Sequence, residues 1–82
     1  MYKDFVGSKV IVIVATKGDK TLEYTGKLVA DNEKTIELEN VNIDGLVYSS
    51  QKGMFGNIAQ YKVDVKKAII NKEYIVACMI AG

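Results

Sequence analysis

Apolar and polar residues alternate along most of this chain with a period of two, which is the spacing of a strand and not of a helix. Residues 9–16 read Lys-Val-Ile-Val-Ile-Val-Ala-Thr. The run is β-branched almost throughout and predicts a strand with two apolar faces. One face can enter a core; the other needs some other cover. Residues 21–30 alternate as well, with Leu22, Tyr24, Leu28 and Ala30 on one face and Glu23, Thr25, Lys27 and Val29 on the other. Residues 35–41 place Ile36 and Leu38 inward, with Glu37 and Glu39 outward. Residues 58–70 put Tyr61, Val63, Val65 and Ile69 opposite Gln60, Lys62, Asp64 and Lys66. Residues 74–80 form the last strand, with Tyr74, Val76, Cys78 and Ile80 on one face and Ile75, Ala77 and Met79 on the other. A terminal strand that is apolar on both faces and open along one edge invites pairing with another chain. A symmetric oligomer supplies that partner.

Turn signals separate these runs. Lys17-Gly18-Asp19-Lys20 joins the first two strands as a hairpin, and Asp31-Asn32-Glu33-Lys34 is a polar turn. Asn71-Lys72-Glu73 is a tight turn in which Asn71 can take a positive φ. Residues 2–6 predict a short N-terminal helix ended by Gly7. Gly26 falls in mid-strand on the apolar face, where glycine is costly unless the strand bends or another backbone comes close. Residues 43–57 form a long excursion with glycines at 45, 53 and 56, read as a twisted hairpin extension tipped by residues 49–53. The expected architecture is one all-β domain over residues 1–82. It has a short helix and five antiparallel strands closed into a small, strongly bent barrel of the oligonucleotide-binding or SH3-like kind.

Composition narrows the function. Eleven Lys and Arg stand against ten Asp and Glu, so bulk positive charge cannot hold a nucleic acid. There is no His and a single Cys, Cys78, which excludes a Cys/His zinc site and a His-activated nucleophile. The glycines lack the spacing of a phosphate loop. Glu37 and Glu39 share a strand face, but with neither nucleophile nor base beside them they read as solvated charges. Neither an enzyme, a cofactor, a metal nor a small-molecule substrate is expected. A lone thiol fits a reducing compartment, and Met1-Tyr2-Lys3-Asp4-Phe5 lacks the apolar core of a signal peptide, so a cytoplasmic location without a membrane partner is expected. A chain of 82 residues buries only about 60% of its unfolded surface. With no disulfide or metal to help, association with copies of itself is expected.

The order of elements resembles the Sm-like (LSm) family. Phe5-Val6-Gly7-Ser8-Lys9-Val10 resembles the helix-to-strand entry. Glu23-Tyr24-Thr25-Gly26-Lys27-Leu28-Val29-Ala30-Asp31, continued by Thr35-Ile36-Glu37-Leu38-Glu39-Asn40-Val41, resembles the first Sm motif. Ala68-Ile69-Ile70-Asn71-Lys72-Glu73-Tyr74-Ile75 resembles the second. The resemblance implies a helix capping a bent five-stranded SH3-like barrel, the Sm fold. It implies a homo-oligomeric ring in which the fourth strand of one subunit pairs with the fifth of the next. Tyr61, Val63, Val65, Tyr74, Val76 and Cys78 would then lie at the subunit interface. It also implies single-stranded RNA as a partner on the pore-side loops, at Asp31, Lys34, Thr35, Asn71 and Lys72.

The chain departs from the family where bases are read. Asp31 matches, but Glu33 stands where a stacking side chain is usual and Thr35 where an Asn is usual. Ile70-Asn71 replaces Arg-Gly. A base stacked on an aromatic is worth about 1–3 kcal/mol, and Glu33 has no π-face. Loss of the Arg removes a guanidinium fork. The implied function is an RNA-associated ring with a degraded nucleotide pocket; the alternatives are an assembly protein that has lost RNA binding, and a barrel that binds a protein partner. Lys62, Lys66, Lys67 and Lys72 form a basic run that reads either as a phosphate-contacting stripe or as a solvated strand face. Met54-Phe55 reads either as an exposed partner-binding tip or as a loop anchored on its own barrel.

Overall fold

A computed structural model describes residues 2–48 and 58–82. The expected all-β class and five antiparallel strands are what the chain adopts. The strands are β1 (Lys9–Ala15), β2 (Thr21–Asp31), β3 (Thr35–Tyr48), β4 (Ile58–Asn71) and β5 (Ile75–Ile80). They form one sheet in the order β4-β3-β2-β1-β5. The sheet bends into a barrel-like shape that is open between β4 and β5. The short N-terminal helix is a single 3-10 turn, Tyr2–Phe5. It is locked to the sheet by backbone bonds between Gly7 N–H and Leu28 O at 2.8 Å and between Leu28 N–H and Ser8 O at 3.0 Å.

The first four strands supply the buried core, and Ile75 and Cys78 of β5 pack against it. Val10, Val12 and Val14 of β1, Leu28 of β2, Ile36, Leu38, Val41 and Ile43 of β3 and Ile70 of β4 are buried. Gly26 shows why a glycine interrupts β2. A Cβ there would lie 2.8 Å from the Glu39 carbonyl oxygen and 3.1 Å from a Val41 methyl. The β2–β3 ladder shifts register here, between Thr25 and Lys27, and the β3 backbone comes so close that no side chain fits.

Strict alternation fails at one rung. On β3 the inward residues are Ile36 and Leu38, then Val41 and Ile43; on β4 they are Val63 and Val65, then Ala68 and Ile70. Both strands exchange faces together, between Glu39↔Lys67 and Val41↔Val65. Asn40 makes this possible by taking the left-handed conformation, φ 53, which Asn tolerates better than other side chains. Ile69 is therefore not on the face of Val63 and Val65. It lies outward, opposite Glu37, and is largely exposed.

Two further expectations change. β3 does not stop near Val41 but runs to Tyr48, so much of the excursion is regular strand paired with Ile58–Tyr61. Its expected tip at residues 49–53, and Met54-Phe55, lie outside the described residues. Asn71 does not take a positive φ. Its φ is −73, and its side-chain oxygen instead accepts the Glu73 N–H at 3.0 Å, capping a 3-10 turn at Lys72–Tyr74.

Candidate functional site

At one end of the barrel, the β2–β3 turn and the β4–β5 turn meet. Asn32 N–H donates to Thr35 O at 2.8 Å to close the first turn. The Asn32 amide also donates to Thr35 Oγ1 at 3.1 Å and to Glu37 Oε2 at 2.9 Å, fixing the turn's outer side. Thr35 sits directly opposite Asn71 in the β3–β4 ladder. Lys72 N–H donates to Lys34 O at 2.9 Å, which ties the two turns together. Asp31, Lys34, Thr35, Asn71 and Lys72, expected as the RNA-contacting set, are thus neighbours in space. Glu33, Lys34, Asn71, Lys72 and Glu73 line a shallow depression of about 410 Å³.

The charges in this cluster are already engaged. The Lys72 ammonium forms an ion pair with Asp31 Oδ1. It also lies 5.5 Å from the centre of the Tyr2 ring, within cation–π range. The hydrogen bond from Lys72 holds the Asp31 carboxyl below its usual range; partial burial opposes that shift, and the backbone N–H of Lys3 adds a weaker lowering. What remains toward solvent is Lys34 against Glu33 and Glu73, so the depression has no positive excess to draw in phosphate. Thr35 can still donate its hydroxyl proton. Asn71 has given its side-chain oxygen to the turn and keeps only its amide nitrogen. The cluster is a structural clasp with limited hydrogen-bonding capacity for a base.

Two members of the clasp were missed in the sequence. Asn32 stands three residues before Thr35 in a polar turn, which is the spacing of a side chain that organises its own turn, so a local signal existed. Tyr2 lies far from Lys72 along the chain, and no local pattern links them.

The expected interface residues occupy the two margins of the sheet. Among the described residues, Tyr61, Val63 and Val65 lie on β4, which pairs only with β3; Val76 and Cys78 lie on β5, which pairs only with β1, and Tyr74 precedes it in the 3-10 turn. One copy does not bring the two groups together. Val63, Val65 and Cys78 pack against the core. Ile80 is 53% exposed although it stands opposite the fully buried Val10, and Val76 is 64% exposed. The expected alternation through Tyr74, Val76 and Cys78 breaks at a register shift: Ile75, not Val76, stands opposite Val14 and packs against the core. Ile80 belongs with the margin residues and is recognisable by its alternation with Cys78. Burial pushes the Cys78 thiol pKa up, away from the reactive thiolate.

Three of the four lysines of the basic run stand beside a carboxylate. Lys62 stands opposite Asp44, Lys67 is 3.7 Å from Glu37, and Lys72 is held by Asp31. This arrangement favours a solvated strand face over a phosphate stripe. Among the described residues, no group of three or more His, Cys, Asp or Glu is disposed to hold a metal ion, and no helix is long and apolar enough to cross a membrane. No protein-family model, no curated protein and no solved structure matches this chain.

Proposed function

We propose that this chain is an Sm-like subunit of a closed homo-oligomeric ring, a non-catalytic, RNA-associated scaffold of the cytoplasm. The observation that carries the reading is the pair of open sheet margins. Among the described residues, β4 and β5 each lack a neighbour on one side, and β5 exposes Ile80, opposite the buried Val10, together with Val76. Pairing β5 with β4 of another copy covers those side chains and satisfies the backbone groups of both edges. Repeated head to tail, the same contact closes a ring. The sheet order and the bend at Gly26 support the Sm-like assignment, and the unpaired Cys78 suits a reducing setting. RNA would meet the end that carries Lys34, Thr35 and Asn71.

The engagement of Lys72 with Asp31 favours a second reading, in which the ring persists and the base pocket does not. Light scattering at micromolar concentration tests the first part: the expected particle is a multiple of the 9.0 kDa protomer, and a stable lone protomer overturns the ring. Filter binding to poly-U and poly-A, repeated across salt concentrations, separates the two readings. Salt-dependent retention supports RNA association. An intact ring that retains neither polymer supports the scaffold that has lost it.

A further inference from the structure

β3 and β4 continue past the barrel as a two-stranded arm. The last β2 partner on this part of β3 is Leu22, opposite Gly45. Beyond it, Leu46, Val47 and Tyr48 pair only with Gln60, Ala59 and Ile58. The molecule is accordingly 45 Å long but only 22 by 20 Å across. The register places Val47, Ala59 and Tyr61 on one face of the arm and Leu46, Ile58 and the uncharged Gln60 on the other. Leu46 is 47% exposed and Ile58 48%. Among the described residues, both edges of the arm are also unpaired, since β2 ends before it begins and β4 is the outermost strand. A free two-stranded ribbon is marginal in water, and one with apolar side chains on both faces needs cover.

Charge indicates what covers it. Residues 45–48 and 58–61 carry no charge, and the whole stretch 45–61 has only Lys52. The nearest flanking charges, Asp44 and Lys62, are opposite in sign and stand across from each other in the ladder. A segment that lies on a lipid surface has one apolar side and one basic side; the described residues of this arm carry apolar side chains on both sides and no basic residue on either. A charged partner would find nothing to pair with. An identical arm meets it without repulsion and is matched to it in length. Width decides where that second arm comes from. A two-stranded ribbon is about 10 Å wide, whereas the body of the molecule is 20–22 Å across. Arms leaving neighbouring barrels of one ring stand a barrel's width apart, so the matching arm belongs to a copy that faces this one.

We propose that the arm docks against the arm of a facing second copy, burying Leu46 and Ile58, so that two assemblies meet arm to arm. The contact is additional to the β4–β5 pairing and rests on that reading for the size of the assemblies it joins and for the matching arm's coming from a facing copy rather than a neighbour. Native mass spectrometry of the full chain tests it with two variants. Leu46→Glu with Ile58→Glu changes exposed residues beyond the barrel, and Leu46→Thr with Ile58→Thr is the milder version should the charged pair misfold, as judged by circular dichroism. The expected result is a twofold fall in particle mass for the arm variant with an unchanged spectrum. Val76→Glu with Ile80→Glu attacks the β5 margin and is expected to leave dimers held by their arms. An arm variant with the mass of the wild type overturns the arm contact, whatever the margin variant does. A margin variant with the mass of the wild type, beside an arm variant that falls in mass, upholds the arm contact and overturns the ring. Flotation of the wild type, but not of the arm variant, with phosphatidylcholine–phosphatidylglycerol vesicles, at unchanged mass for both, overturns the arm contact in favour of a lipid surface.

Discussion

The β3–β4 ladder has two parts that meet at Gly45, and they differ in what covers them. From Thr35 to Gly45, β3 lies between β4 on one side and β2 on the other, and Ile36, Leu38, Val41, Ile43 and Ile70 are buried. Beyond Gly45 the β4 register continues unchanged to Tyr48, but β2 has ended and Leu46 is exposed. Backbone hydrogen bonds add little net stability because they replace bonds to water. The two parts therefore share a ladder and differ in what the apolar face touches. Stability resides in the covered part, and the other part is available for contacts outside the chain.

The sharpest way to break this comparison is to cut equivalent leucines. Leu38→Ala in the covered part is expected to cost about 2–5 kcal/mol by urea unfolding. Leu46→Ala in the arm is expected to cost less than about 0.5 kcal/mol in the isolated protomer. Similar losses at both sites would mean that the arm is packed within its own chain. Next in size is Gly26→Ala. Its new Cβ meets the Glu39 backbone, which cannot move without unpairing β2 from β3, so a loss of about 1–3 kcal/mol is expected in the same measurement.

The smallest effect concerns the clasp at the covered end. The Asp31 carboxyl ionises at lower pH when folded than when unfolded, because of Lys72. The folded state then binds fewer protons, so this pair stabilises above the ordinary carboxylate pKa of about 4 and its contribution is lost as pH falls through the lower folded value. Asp31→Asn is expected to flatten that acid limb in a pH series of melting temperatures while leaving the neutral-pH fold intact. An acid limb identical to that of the parent would show that Asp31 does not anchor the turn.

Much of the barrel was legible because β-branched alternation in residues 9–16 and a mid-strand glycine at 26 are local signals of a sheet that bends. The two-sided apolar character of residues 74–80 likewise matches an edge strand with exposed Val76 and Ile80. The face exchange was not legible. It depends on Asn40, which is an ordinary polar residue in the sequence and becomes special only because two strands must twist together there. Counting by twos through residues 61–69 consequently misplaced Ile69. The length of β3 was obscured by Asp44-Gly45, which has the form of a turn. In the fold Gly45 is instead a ladder position opposite Leu22, where a Cβ would clash with the Thr21 carbonyl oxygen. At the candidate site, the residues expected together are together, whereas the ion pair that occupies Lys72 joins distant segments and has no sequence periodicity.

The paired reversal at Asn40 and Lys66 also governs how such a chain can change length. Removing one residue from β3 between Leu38 and Val41 would turn every side chain beyond it inside out while its partner strand kept its original sense. Only a matching deletion near Lys66 would restore agreement. Variation in length along these two strands is therefore expected to come in coupled pairs, or to be confined to the connection that joins them.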